Sequence, residues 1–262
     1  MTKLDRRSVL FGALGGGAIT TAAGLTAWLP ERRATPITHE DERFYRSFAQ
    51  FGEDLVVAAT LAMYEIARPT YLDIGAHHPT LHSNTWLLYG RGSRGVLVEP
   101  NPEYVELLRK KRDGDTVLEI GIGISDQREA DYYVITGDGT LNTFSKEQAD
   151  ALTARIGPSA ISKVIKRPLV PVNEVLARHF AGGAPDFVSI DVEGLDLAIL
   201  RTFDFERFRP KVYCVETSLL DGTLNQPLVD LMKEKGYSAR GGSFVNTVFI
   251  DERARPTNRH GH

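Results

Sequence analysis

The sequence predicts an α/β fold: a doubly wound, mostly parallel sheet that ends in an antiparallel strand pair. Three observations predict it. After about residue 50, apolar runs of strand length alternate with longer amphipathic segments. Small residues and acids follow the apolar runs, and two strand-like runs, Tyr237 to Arg240 and Asn246 to Ile250, close the chain across a short turn.

Taken in order, Glu53 to Ala67 reads as a helix with Leu55, Ala58, Ala59, Ala62, Met63 and Ile66 on one face, stopped by Pro69. Thr70 to Ile74 is a short buried strand. A helix over Ser83 to Tyr89 leads to the strand Gly95 to Glu99. Pro102 then sits where a first helical turn tolerates proline, opening a helix to Arg112. Val117 to Ile120 is a third strand. The middle is less regular: Ala130 to Ile135 is strand-like, Lys146 to Arg155 is a helix capped by Ser145, and Lys163 to Val170 is a strand that Pro168 confines to an edge. Beyond Pro171 the alternation resumes, with helices at Asn173 to Phe180, Leu195 to Phe203 and Pro227 to Lys235, and strands at Asp186 to Ile190 and Lys211 to Glu216.

Composition sets bounds on function. The 262 residues, 42% hydrophobic and 25% charged, can bury one substantial core. A formal net charge of -3 supplies no overall basic field, so nucleic acid is not an expected partner. The single cysteine, Cys214, sits in an apolar run and reads as a buried small hydrophobe; no intrachain disulfide or cysteine-based metal site can form.

The first 30 residues stand apart from the rest. An uncharged stretch from Ser8 to Leu29 follows Lys3, Arg6 and Arg7, the layout of an export signal or an anchor. Arg6-Arg7 with the glycines behind it resembles a twin-arginine signal, while about 22 residues at ~1.5 Å each also suffice to cross a membrane, so contact through residues 8–29 is expected. Residues 31–49 read as a linker, 50–251 as the folded domain and 252–262 as a polar tail.

In open parallel sheets, ligands bind outside the carboxyl ends of the strands, so the residues just past each strand are the informative ones. Asp73 ends the first strand and is followed by Gly75, Ala76 and His77; this spacing is not that of a pyrophosphate cradle. Small residues there admit close approach of a ligand, and the next helix N-terminus offers N–H groups to a carboxylate. Glu99, followed by Asn101, ends the second strand and can accept both hydroxyls of a ribose. Asp126, after the third, is placed to accept from an adenine amino group. Asp191 and Glu193 put two carboxylates at the mouth of the same pocket, where one can hold a proton, share a cation or deprotonate a substrate hydroxyl; Glu216 points to the same rim. His77, His78 and His82 cluster nearby. The turn they occupy rarely directs three rings to one point, so no metal site is expected, and His77 is a further candidate proton acceptor.

These residues fall into several short motifs. Gln50-Phe51-Gly52-Glu53-Asp54, Asp73-Ile74-Gly75-Ala76, Ser83-Asn84-Thr85, Glu99-Pro100-Asn101-Pro102 and Ile190-Asp191-Val192-Glu193-Gly194, followed by Arg209-Pro210 and Val215-Glu216, resemble the FkbM-type methyltransferases in order and spacing. The resemblance spans nearly all of the chain after the linker. It implies a Rossmann-like methyltransferase fold, S-adenosylmethionine held by Asp73, Gly75, Ala76, Glu99, Asn101 and Asp126, and methyl transfer to oxygen on a carbohydrate or secondary metabolite. Catalysis would fall to Asp191, Glu193 or His77. His77-His78-Pro79 departs from the Asn-x-Gly of many relatives, which puts the contact to the donor's methionine end in question.

Two other readings compete. An exported or membrane-attached domain could keep this fold as a non-catalytic small-molecule-binding module, because the donor is made in the cytosol and a methyltransferase must face it. A nicotinamide-dependent oxidoreductase would share the ribose-binding acid, but the glycine fingerprint is missing.

Overall fold

A computed structural model describes residues 46–254 apart from Asp138 and Gly182. The twin-arginine-like signal, the anchor over 8–29 and the polar tail beyond 254 lie outside the described residues. Among those described, no helix is long and apolar enough to cross a membrane.

Ten strands run through the described residues: β1 (Thr70–Ile74), β2 (Arg94–Val98), β3 (Thr116–Leu118), β4 (Gly121–Gly123), β5 (Glu129–Ile135), β6 (Ile161–Pro171), β7 (Phe187–Ile190), β8 (Val212–Glu216), β9 (Tyr237–Gly242) and β10 (Asn246–Asp251). Seven form one sheet in the order β3-β2-β1-β7-β8-β10-β9. Pairing from β3 through β8 is parallel, and β10 runs antiparallel to both of its neighbours. The other three make a small sheet ordered β4-β6-β5.

Among the described residues, seven α-helices accompany them: α1 (Glu53–Met63), α2 (Trp86–Gly90), α3 (Pro102–Lys111), α4 (Lys146–Ile156), α5 (Val172–His179), α6 (Asp196–Thr202) and α7 (Gln226–Glu234). Successive strand side chains alternate between faces, so a strand covered on both sides must be apolar throughout. Tyr71, Leu97, Phe187 and Cys214 accordingly join Val57 and Leu61 of α1, Leu87 and Leu88 of α2 and Leu108 of α3 in one core. Their neighbours Leu72, Val98, Val188 and Tyr213 pack on the opposite face with Leu176 of α5, Leu200 of α6 and Met232 of α7. The sheet is therefore doubly wound, with Cys214 fully buried inside it.

Four sequence expectations need correction. The α1 helix ends at Met63, and its buried face is Glu53, Asp54, Val57, Ala58 and Leu61, while Met63 is exposed. The sheet selects the stripe that includes two acids because local partners satisfy them: Asp54 accepts from Ser47 Oγ at 2.6 Å and Phe48 N–H at 2.8 Å, and Glu53 from Phe51 N–H at 2.9 Å. The helix after β1 begins at Trp86, three residues later than predicted, because Ser83 Oγ accepts from Trp86 N–H at 3.1 Å and closes its start.

The third predicted strand, Val117 to Ile120, ends at Leu118, and a separate strand follows at Gly121–Gly123, beyond the predicted span. β3 stays in the main sheet, whereas β4 leaves it to pair with β6. Finally, Pro168 is not on an edge, since β6 is the middle strand of the small sheet. Pairing with β5 runs to Pro168 and pairing with β4 begins at Leu169, so the proline stands at the changeover, where its missing N–H breaks no ladder.

Candidate functional site

The winding reverses between β1 and β7, and the carboxyl ends of the strands there open into a cavity of about 310 Å³, within the range of small-molecule sites. Gly75 and His77 after β1, Glu99 after β2, Asp191 and Glu193 after β7, and Glu216 at the end of β8 all line it. The small sheet supplies a second wall that includes Ile122 and Tyr132, the segment before α4 adds Phe144, and the segment after β8 contributes Ser218 and Leu219.

The acid at the tip of β2 is the best-defined polar group facing this space. Glu99 is buried, and its two oxygens accept backbone N–H groups from His77 at 2.8 Å and Asn101 at 2.7 Å. Each oxygen keeps a lone pair, so the carboxylate can still receive two hydroxyls. Burial pushes Glu99 up to about 7, against the pull of the two N–H groups, and the nearby Asp73 adds to the rise. Asn101 holds the turn instead of facing the cavity: its side chain caps α3 by accepting from Glu103 N–H at 3.1 Å.

Asp73 does not line the cavity. It is buried beneath it, where Thr85 Oγ1 donates to its carboxylate at 2.6 Å, and Arg112 donates to the same Thr85 hydroxyl at 3.1 Å. Burial raises its pKa, opposed by Thr85, Arg112 and Ser189. The Ser83-Asn84-Thr85 motif thus divides its work: Ser83 starts α2, Asn84 lines the cavity and donates to Ser189 Oγ at 3.1 Å, and Thr85 holds Asp73.

Gly75 has a different reason to be glycine from the one the sequence suggested. Its φ is +86°, and a Cβ there would stand 1.9 Å from the Asp191 carbonyl oxygen, so the neighbour that needs the space is the β7 turn. Ala76 is buried in the core on the α1 side and is not part of the cavity wall. At the start of α2, Ser83 Oγ accepts from the Trp86 N–H at 3.1 Å.

Asp126 lies outside the cavity and is exposed. The departure of β4 into the small sheet carries the following turn to solvent.

The three neighbouring histidines separate. His77, at φ +50°, lines the cavity with its ring against Tyr104, the centroids 4.1 Å apart. His78 accepts Thr80 and Leu81 N–H groups on Nδ1 at 3.2 and 3.0 Å, which ties it to its own turn, and His82 lines the cavity from φ +55°.

The acids do converge. Ile190 and Val215 are level in the parallel β7–β8 pair, so Asp191 and Glu216 leave adjacent strands side by side. Glu193 reaches the same point from a left-handed turn at φ +56°, and one oxygen from each of the three lies within 4.8 Å of the others. That turn is fixed twice: Asp196 accepts Val192 and Gly194 N–H groups at 3.2 and 3.3 Å, and Thr143 Oγ1 donates to the Glu193 carbonyl at 2.8 Å. Desolvation raises all three cluster acids and Asp196; the charge of Asp191 adds to the rise at Glu193, Asp196 and Glu216, while Asp73 and Glu53 add to it at Asp191. Asp196 and Asn246 were not singled out from the sequence. An acid in the first turn of α6 was the available signal for one, and there was none for the other.

Comparison with known proteins follows this geometry. The family profile described as the Methyltransferase FkbM domain matches residues 73–239. No curated protein matches the chain. Among solved structures, it is similar to the 1,6-didemethyltoxoflavin-N1-methyltransferase of Burkholderia thailandensis, which was solved with 1,6-didemethyltoxoflavin and S-adenosylhomocysteine; identity is 10%, 77% of each chain is covered, and the TM-score is 0.38. It is also similar to precorrin-6y C5,15-methyltransferase of Geobacter metallireducens, at 16% identity over 78% of this chain and 89% of that one, TM-score 0.37. A third is the fibrillarin pre-rRNA processing protein of Methanococcus jannaschii, at 13% identity over 73% and 74%, TM-score 0.38.

Proposed function

The chain belongs to the FkbM methyltransferase domain family, and from that premise we propose that it moves a methyl group from S-adenosylmethionine to a hydroxyl oxygen of a carbohydrate or secondary-metabolite acceptor. One observation carries the reading: Glu99, with lone pairs to spare, and the acids after β7 and β8 face one cavity at the winding reversal. When bound, S-adenosylmethionine supplies a methyl carbon made electrophilic by its sulfonium.

In this reading Glu99 accepts the two ribose hydroxyls, and Ile122 and Tyr132 offer an apolar face to the adenine. Asp191 or Glu193 would accept the proton that the acceptor hydroxyl loses on methylation. His77, on the same wall, is the alternative proton acceptor. Holding the two reactants in line supplies most of the acceleration. The acceptor enters beside Ser218 and Leu219 and the Gly139–Phe144 segment, which close the remaining sides. Use of a cytosolic donor requires the domain to face the cytoplasm, with residues 8–29 as an anchor or signal at the membrane.

The test is calorimetric titration of the full chain with S-adenosylmethionine and S-adenosylhomocysteine, beside E99A. Saturable binding that E99A weakens tenfold or more supports the reading; absent binding, or binding that E99A leaves unchanged, overturns it. Binding with no methyl transfer to a panel of hydroxylated acceptors would favour the non-catalytic module.

A further inference from the structure

Several of the segments that form the open end of the cavity carry exposed apolar side chains. Phe244 is 78% exposed, Leu81 61% and Phe51 59%, and Leu219 on the cavity wall is exposed as well. Each of the first three stands next in the chain to a cavity-lining residue: Val245, His82 and Gln50 respectively. Single exposed apolar residues are ordinary on a protein surface, but a group of them around one opening marks a contact surface.

Hydrogen bonds hold these segments together. Ser83 N–H donates to the Phe48 carbonyl at 2.9 Å, which ties the turn after Leu81 to the stretch before Phe51. Thr217 and Ser218 N–H groups donate to the Val245 carbonyl at 2.8 and 3.1 Å and join the segment after β8 to the turn between β9 and β10. A Cβ on Gly222 of that segment would lie 3.8 Å from the Phe244 ring. Ser243 Oγ donates to the Glu53 carboxylate and links the same turn to the start of α1. The four apolar side chains therefore belong to one rim.

Two further observations say what the rim meets. The described fold begins at Arg46, just before Gln50, so the chain that carries the uncharged stretch over residues 8–29 joins the domain at this rim. Cations stand there too: Arg46 and Arg155 are exposed, Arg155 on the cavity wall and Arg46 over the Phe48 ring at 5.3 Å. Asp221, the acid of the neighbouring loop, is taken up by its own turn, accepting from Thr223 N–H and Oγ1 at 2.9 and 2.6 Å. Aromatic and aliphatic side chains interspersed with arginine suit the boundary between the headgroups and acyl chains of an anionic bilayer.

We propose that this rim seats the mouth of the cavity on the surface of a phospholipid bilayer that bears anionic headgroups. Phe51, Leu81, Leu219 and Phe244 enter the boundary region, where their apolar area leaves water, and Arg46 and Arg155 meet the headgroups. The cavity then opens toward the bilayer. On the methyl-transfer reading, its acceptor hydroxyl is borne by a lipid-anchored molecule that reaches the cavity without leaving the membrane; that clause rests on the reading, and the docking itself does not.

The experiment labels full-length F244C and, separately, M63C with an environment-sensitive fluorophore; the native thiol, Cys214, is fully buried. Met63 is exposed at the other end of α1, about 15 Å from Glu53. Each protein is titrated with vesicles of equal parts phosphatidylcholine and phosphatidylglycerol, with and without a nitroxide on the acyl chains. The expected result is a roughly twofold or greater emission gain at F244C that the nitroxide quenches, with little change at M63C. Adding F51S and L81S to F244C should weaken vesicle affinity about threefold or more. A water-like signal at F244C on vesicles overturns the proposal, as do equal gains at both positions, because anchoring by residues 8–29 alone would favour no face. An apolar signal at F244C before vesicles are added, unchanged by them, also overturns it and shows the rim covered by the leader or by a second copy.

S-adenosylhomocysteine binding is measured on the same samples. Bound S-adenosylhomocysteine without docking sinks the surface and spares the methyltransferase reading. Docking without bound S-adenosylhomocysteine does the reverse and removes the lipid-borne acceptor.

Discussion

Gly75 and the Asp191 carbonyl are packed so closely that a Cβ on the glycine would lie 1.9 Å from the oxygen. The first and fourth strand-end turns of the site are thereby locked against each other through backbone. Gly75→Ala would have to push them apart and also hold alanine at φ +86°. We expect a loss of about 2–4 kcal/mol in chemical denaturation, together with weaker donor binding, because the turn that orients Glu99 through His77 moves.

Glu99 gives the pH dependence. In the free protein its pKa is pushed up to about 7, mainly by burial, and the groups acting on it are Asp73, Tyr132 and the backbone N–H groups of His77 and Asn101. Donor hydroxyls bind the ionised form, so affinity for S-adenosylhomocysteine should rise with pH through about 7 and level off above it. The effect on stability has the opposite sign. Between the ordinary carboxylate pKa of about 4.3 and the raised value, the folded state holds more proton than the unfolded one, so the Glu99 contribution to stability is lost as pH rises through that window. In E99Q both dependences should flatten, read by calorimetry and by thermal unfolding from pH 5 to 8. An unchanged slope in E99Q refutes the assignment.

Beneath the site, Arg112 and Asp115 form an ion pair at 2.8 Å with side chains only 1% and 0% exposed, and Tyr71 Oη joins them by accepting from Arg112 at 2.9 Å and donating to Asp115 at 2.7 Å. Removing one partner strands a buried charge. Asp115→Ala should cost about 3–5 kcal/mol in urea unfolding. Paired replacement of Arg112 and Asp115 by methionine and leucine should cost markedly less, because no uncompensated charge remains.

Asp126 supplies the contrast. It is exposed and outside the cavity, so Asp126→Ala should leave donor affinity within twofold of wild type and stability within about 0.5 kcal/mol. A tenfold loss of affinity on isothermal titration would return Asp126 to the site.

Much of the scaffold was legible beforehand because its signals are local. The continuous apolar runs at Thr70–Ile74 and Val212–Glu216 belong to strands covered on both faces, and the cap Ser145 acts within three residues. The stripe of α1 was misread because helical periodicity does not weigh the local partners that let Glu53 and Asp54 be buried. Pro168 was misplaced for a related reason: an edge is a property of the sheet, and the changeover between β5 and β4 is not visible in one strand's residues.

By itself, the sequence determined the alternation of strands and helices, the antiparallel close, the family, and the acids at or just past the ends of β1, β2, β7 and β8. The tertiary structure alone decided which of those acids share a space. Strand register set Asp191 beside Glu216 and brought Asn246 opposite, while the exit of β4 removed Asp126 and the Thr85 contact drew Asp73 into the interior. Propensity and hydrophobic pattern act over a few residues, whereas the meeting of side chains 25 to 55 positions apart depends on strand order and register, which are settled only when the whole sheet packs.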